Sequence, residues 1–88
     1  MSDDAKTRIG ELRDAIDVID DDIVELLNRR ATLALDIRAL KPQAQLGLYD
    51  PKREEEIFAR LAATNTGPLY GDNLREIYEA VLHVMKEL

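Results

Sequence analysis

Ile9-Gly-Glu-Leu-Arg-Asp-Ala-Ile-Asp-Val-Ile-Asp20-Asp-Asp-Ile-Val-Glu-Leu-Leu-Asn-Arg-Arg30-Ala-Thr-Leu-Ala-Leu-Asp-Ile-Arg-Ala-Leu40 is the stretch whose reading decides the fold. Apolar residues recur at Ile9, Leu12, Ile16, Ile19, Ile23 and Leu26, in alternating steps of three and four. After a gap of seven the pattern resumes at Leu33, Ile37 and Leu40. That is the heptad stripe of a single amphipathic helix, and no strand-type alternation competes with it. The helix is expected over about residues 7–40, with Gly10 a weak spot near its start. Lys41 precedes Pro42, whose ring disfavours helical geometry in the residue before it, so the helix should stop there.

Outward from this stretch, the three Pro and all Gly except Gly10 fall between positions 42 and 71 and mark two joints. A loop is expected over 42–49. Asp50-Pro51 then reads as a helix start, with Asp as N-cap and Pro at the first helical position. This second helix should run over 51–63 and pack Ile57, Phe58, Leu61 and Ala62. Thr64-Asn-Thr-Gly-Pro68 stops it. A third helix is expected over 72–88, with Leu74, Ile77, Tyr78, Val81, Leu82, Met85 and Leu88 on its apolar face. The expected class is all-α: one domain over 1–88, built of one long and two shorter helices.

The 88 residues contain no Cys, one His (His83) and one Ser (Ser2). Disulfides, thiolate nucleophiles, Cys/His zinc sites and a Ser-His-Asp triad are thereby excluded. Twelve Lys and Arg against eighteen Asp and Glu give a net charge of −6, which argues against nucleic acid as a partner. No apolar run approaches the ~18 residues of a membrane span, and the polar start is no signal peptide. A soluble cytoplasmic domain that binds no membrane is expected. Asp20-Asp-Asp22 point in different directions around a helix and read as a solvated surface rather than a metal site. His83 is expected to face solvent or an interface.

The long helix exceeds what one chain can cover. About 33 residues make a rod of ~50 Å, whereas a compact chain of this length has a radius of gyration of only ~12 Å. Two helices of roughly 13 and 17 residues are too short to cover both ends of the stripe. A second copy of the chain is therefore expected to do so.

The gap between Leu26 and Leu33 is filled by Arg30, where the stripe calls for an aliphatic side chain. Burying a guanidinium without a counter-charge costs several kcal/mol. Two readings stand side by side: a structural ion pair within the bundle, or an anion site that uses the planar fork of Arg for a carboxylate. Arg13 and Lys41 lie beside the same stripe, and Arg53 sits in the first turn of the second helix with Asp50 and Glu54. Singly each reads as a surface charge; together they suggest an anion pocket.

Leu12-Arg13, Ile16-Asp-Val-Ile-Asp20, Ile23-Val-Glu-Leu-Leu-Asn-Arg-Arg30, Lys41 and Asp50-Pro-Lys-Arg-Glu54 occur in this order and spacing without a gap. In this the chain resembles the all-α, AroQ-type chorismate mutases, from about Leu12 to its end. Asn65-Thr-Gly-Pro-Leu69 looks like members fused to prephenate dehydratase or to the first shikimate-pathway synthase. The resemblance implies an intertwined homodimer with two active sites that rearranges chorismate to prephenate, towards phenylalanine and tyrosine, with no cofactor and no metal. It assigns Arg30 to one substrate carboxylate and Arg13, from the partner chain, to the other. Lys41 would touch a carboxylate and the ether oxygen. Asp50, through its backbone, and Glu54 would hold the ring hydroxyl, with Arg53 supporting the anionic end. Along one helix Arg13 lies ~25 Å from Arg30 and ~42 Å from Lys41. Only an antiparallel partner helix brings Arg13 beside the other two.

The chain departs from the family pattern in two places. Pro42 directly follows Lys41, which could displace that backbone. The family's late Gln or Glu in the third helix, a donor to the ether oxygen, would fall one position beyond Leu88. Met85 stands where some members have Ser. The expectation is a domain cut from a longer protein or an incomplete site. The alternatives to a mutase are a chorismate- or prephenate-binding regulatory or dimerisation module of a fused enzyme, an isochorismate pyruvate lyase, and a plain helical dimer. The last leaves Arg30 unexplained.

The uncovered stripe predicts an obligate dimer, so the unfolding midpoint should rise with protein concentration. A folded monomer at micromolar concentration in the analytical ultracentrifuge would refute it.

Overall fold

The computed structural model describes residues 2–47 and 50–88, and among them helices, turns and loops occur but no strand. The helices are α1, Ser2–Leu40; α2, Pro51–Thr64; and α3, Gly71–Lys86. The chain divides into two compact units, Met1–Leu33 and Ala34–Leu88, with α1 contributing to both.

α1 starts five residues before the expected position 7 and runs unbroken through Gly10. Asp3 and Asp4 in its first turn suit the positive end of the helix dipole. In a helix this long, the ~1 kcal/mol that Gly costs relative to Ala is readily absorbed. In the first unit the stripe residues Ile9, Leu12, Ile16, Ile19, Ile23 and Leu26 are each 46–56% exposed. Polar side chains there bond locally: Arg8 to Glu11 at 3.1 Å, Asn28 Nδ2 to the Val24 carbonyl at 3.0 Å, and Thr32 Oγ1 to the Asn28 carbonyl at 3.1 Å.

The second unit holds the last turns of α1 together with α2 and α3. α1 ends at Leu40, and the Lys41 N–H still donates to the Ile37 carbonyl at 2.9 Å. Pro42 therefore ends the helix without pulling Lys41 off it. A turn over 41–45 follows, closed by Leu46 N–H on the Lys41 carbonyl at 2.9 Å. Gln45 takes a left-handed φ of 59° there. The expected loop over 42–49 is described as far as Gly47; Leu48 and Tyr49 lie outside the described residues.

α2 begins as its sequence requires. Asp50 Oδ1 accepts from Arg53 N–H at 3.0 Å, and Pro51 occupies the first turn. Ile57 is buried, Phe58 and Leu61 are half-buried, and Ala62, expected in the packed set, is exposed. The helix ends at Thr64, and Asn65 organises the joint: its Nδ2 donates to the Leu69 carbonyl at 2.8 Å and its Oδ1 accepts from Gly67 N–H at 3.1 Å. Gly67 has φ 87°, open to Gly at little cost. α3 starts one residue before the expected Asp72 and ends at Lys86. Leu74, Tyr78, Val81 and Met85 are half-buried and Leu82 is buried, whereas Ile77 and Leu88 remain exposed. The core of the described residues is thus small, centred on Ile57 and Leu82 where α2 meets α3.

Because the Asp50 carboxylate serves an otherwise orphaned N–H, Asp50→Ala should cost ~1 kcal/mol of stability. Asp50→Ser should retain most of it. Denaturant unfolding of the three proteins at one fixed concentration checks this, and an unchanged midpoint for Asp50→Ala would contradict the capping role.

Candidate active site

Arg13 and Arg30 both project from the part of α1 in the first unit. Arg13 is exposed and Arg30 half-buried. Among the described residues neither takes part in an ion pair. The structural ion pair that would explain Arg30 within its own chain is therefore not formed there. Seventeen residues of continuous helix hold the two guanidiniums ~25 Å apart. A single α1 does not bring them to one ligand.

The second unit carries the other candidates. Lys41 is half-buried directly after the last turn of α1, with its N–H and carbonyl both engaged in the turn described above. Asp50, Arg53 and Glu54 share the start of α2. The Asp50 side chain is committed to capping, and its carbonyl accepts from Glu54 N–H at 3.2 Å. Arg53 is exposed, and its Nη1 lies 3.9 Å from Glu56, a loose contact one turn away. At about half exposure on both sides such a pair is worth little, so the guanidinium keeps most of its capacity for a ligand.

Glu54 differs from its neighbours. Its side chain is 21% exposed, and Oε1 forms an ion pair with Lys86 Nζ. The motifs of the sequence do not single out Lys86. The available signal is spacing: Leu74, Tyr78, Leu82 and Lys86 recur every four residues along the packed face of α3. A lysine ending such a row carries its ammonium to the edge of the packed surface.

Arg75 is the other cation that the sequence motifs pass over. It donates to Glu55 at 3.0 Å and to Glu79 at 3.2 Å, and its guanidinium lies 4.1 Å from the Phe58 ring centroid. The bond to Glu55 is the main cause of its raised pKa; partial desolvation opposes the rise, and the bond to Glu79 adds to it. Beside it opens a cleft of about 330 Å³ between α2 and α3, lined by Phe58, Leu61, Leu74 and Arg75 among others. None of the expected site residues lines this cleft, and Arg75 already serves two carboxylates. His83 is exposed and pairs with Glu87 at 3.0 Å. Asp20, Asp21 and Asp22 are exposed. Among the described residues no group of three or more His, Asp or Glu side chains converges in a way that could hold a metal ion. Among the same residues no helix is long and apolar enough to cross a membrane.

The chain is 41% identical over 80 residues to the bifunctional chorismate mutase/prephenate dehydratase of Aquifex aeolicus, a match covering 91% of this chain and 21% of the relative. It thus spans about a fifth of the length of that bifunctional relative. Among solved structures it resembles form II of chorismate mutase from Thermus thermophilus, with a TM-score of 0.89 and 36% identity over 92% of each chain. The chorismate mutase of Helicobacter pylori, solved in complex with prephenate, gives a TM-score of 0.84 at 32% identity, over 92% of this chain and 88% of that one. The family model for chorismate mutase type II matches residues 12–88, the extent over which the motifs from Leu12-Arg13 onward carry the resemblance. Three helices that superpose on two chorismate mutases, and a family match from Leu12 to Leu88, place the chain in the chorismate mutase type II family.

Proposed function

We propose that this chain is a chorismate mutase, rearranging chorismate to prephenate in a site shared between two copies. The observation that carries the reading is Arg30: a half-buried residue in the apolar stripe of α1, with no carboxylate of the described residues paired to it. A dicarboxylate ligand supplies the missing counter-charge, and the fork of Arg matches a carboxylate in two parallel hydrogen bonds. The likeness to an enzyme solved with prephenate supports the same ligand class.

The reaction is pericyclic and needs neither a nucleophile nor a cofactor. Its barrier falls if the substrate is held in a compact chair-like conformation and the negative charge growing on the ether oxygen is stabilised. In this reading Arg30 and the partner's Arg13 hold the two carboxylates. Lys41, fixed at the helix end by its backbone bonds, reaches a carboxylate and the ether oxygen. A preorganised donor of that kind is worth ~2.7–4 kcal/mol in the transition state. The Asp50 backbone and the Glu54 carboxylate hold the ring hydroxyl, and Arg53 supports the anionic end.

The second copy enters on two grounds. The ~25 Å between Arg13 and Arg30 exceeds any single substrate, and an antiparallel twofold pairing of α1 removes it. The half-exposed Ile and Leu side chains of the stripe supply the driving force, at ~1 kcal/mol for each remaining half side chain covered. A second reading has the chain serving as a chorismate- or prephenate-binding module beside a fused enzyme. The bifunctional relative shows such a domain joined to a second enzyme, and ligand binding without turnover would identify this reading.

Purified protein should consume chorismate and form prephenate. Arg30→Ala and Arg13→Ala should each lose at least ~100-fold in kcat/KM. After confirmed subunit exchange, an equal mixture of the two variants should recover about a quarter of wild-type activity, because each mixed dimer of a twofold pair regains one intact site. No recovery would refute the shared site. Arg30→Lys should also be poor, since an ammonium cannot reproduce the fork.

A further inference from the structure

Among the ion pairs of the described residues, the Glu54 side chain is the least exposed partner, at 21% against 47–70% in the other pairs. Its counter-ion, Lys86, stands in the last turn of α3. That last turn is tied down in turn. Arg38 Nη1, from α1, donates to the Lys86 carbonyl at 3.1 Å and to the Leu88 carbonyl at 2.7 Å. The Lys86 carbonyl is one that a helix end leaves without an intrahelical partner, Leu88 lies just past that end, and a cation there also complements the negative end of the dipole. Arg38, Lys86 and Glu54 thus form a chain across all three helices that ends on a carboxylate in the first turn of α2.

We propose that Lys86 is a positioning residue for the rearrangement, holding the Glu54 carboxylate for the ring hydroxyl of chorismate. The inference rests on the reading in which Glu54 binds that hydroxyl. A carboxylate has two oxygens and about four acceptor positions. Lys86 takes Oε1 and fixes the side chain, which leaves Oε2 to accept from the hydroxyl. Without the ammonium, Glu54 loses the ion pair that holds its rotamer, and each productive binding event must first order it. The hydroxyl neither forms nor loses charge as the ether bond breaks. Its contact is therefore equally strong in ground and transition states, and weakening it should appear in KM. Lys86 never touches the reacting atoms.

The test compares wild type, Lys86→Met, Lys86→Arg, Glu54→Gln and the double variant Lys86→Met/Glu54→Gln, with kcat and KM measured on chorismate. Met is a good helix former, and circular dichroism melting checks that each variant is folded. Lys86→Met should raise KM about tenfold with kcat within about twofold of wild type. Lys86→Arg should bring KM back to within about threefold, because a guanidinium can still hold the carboxylate. In the Glu54→Gln background the further loss from Lys86→Met should be less than about twofold, the non-additivity expected of two groups acting as one. If Lys86→Met leaves KM unchanged, or its full loss persists in the Glu54→Gln background, the inference is overturned while the mutase reading stands. The same holds if Arg fails to rescue. A wild-type chain that leaves chorismate untouched overturns the mutase reading, and this inference with it.

Discussion

The apolar stripe of α1, interrupted once by a guanidinium, is the constraint on which the rest of this protein depends. A row of Ile and Leu side chains left about half exposed in the first unit keeps hydrophobic free energy available along its length. Arg30 within that row adds a demand of the opposite kind, since any surface that covers the stripe also takes water from the charge. Both demands are met together if the covering surface is a second α1 and the space beside Arg30 holds an anion. Association and substrate recognition are then one physical problem. The proposed position of Arg13 on the partner follows from it without a further assumption.

The second unit solves a different problem, with polar contacts more than with core. Only Ile57 and Leu82 are buried among the described residues, too little apolar area to orient three helix ends by itself. The ends are set by capping and pairing. Asp50 fixes the start of α2, Asn65 the joint after it, and Arg38 the last carbonyl of α3 and the Leu88 carbonyl beyond it. These bonds are individually modest, and several are solvent-exposed. They act on directions rather than on total stability, which is what a site of fixed charges requires: orientation errors of an ångström cost far more in rate than in folding.

Two cations of α3 illustrate how placement decides role. Arg75 meets two carboxylates and an aromatic face, so its charge is satisfied by its own chain. Lys86 pairs with Glu54, a largely covered carboxylate at the beginning of another helix. Both stand on α3 and both are basic, and composition does not separate them. What separates them is the residue across the interface: Glu55, in the exposed second turn of α2, against Glu54, which the packing of α2 on α3 turns inward.

Much of this is legible in the sequence, for reasons that are local. The step pattern of Ile and Leu over Ile9–Leu40, the Asp50-Pro51 start and the Asn65–Pro68 joint are short-range signals, each acting within a turn or two of helix. The helices follow them to within about two residues except at the beginning of α1. There the acidic first turn extends the helix to Ser2, although Gly10 lies inside it. The motifs from Leu12 to Glu54 are equally readable, because a gapless spacing on helices fixes which residues share a face. The pairing of Glu54 with Lys86 and of Arg38 with the end of α3 is not, since it joins residues 32 and 48 or more positions apart. Sequence periodicity carries no information about which helix lies opposite. Nor does it distinguish Arg30 with an internal counter-ion from Arg30 without one. Sequence determined the helices, the stripe and the candidate cations; tertiary structure decided which charges pair with one another among the described residues, because that choice depends on the few ångströms separating groups that lie far apart along the chain.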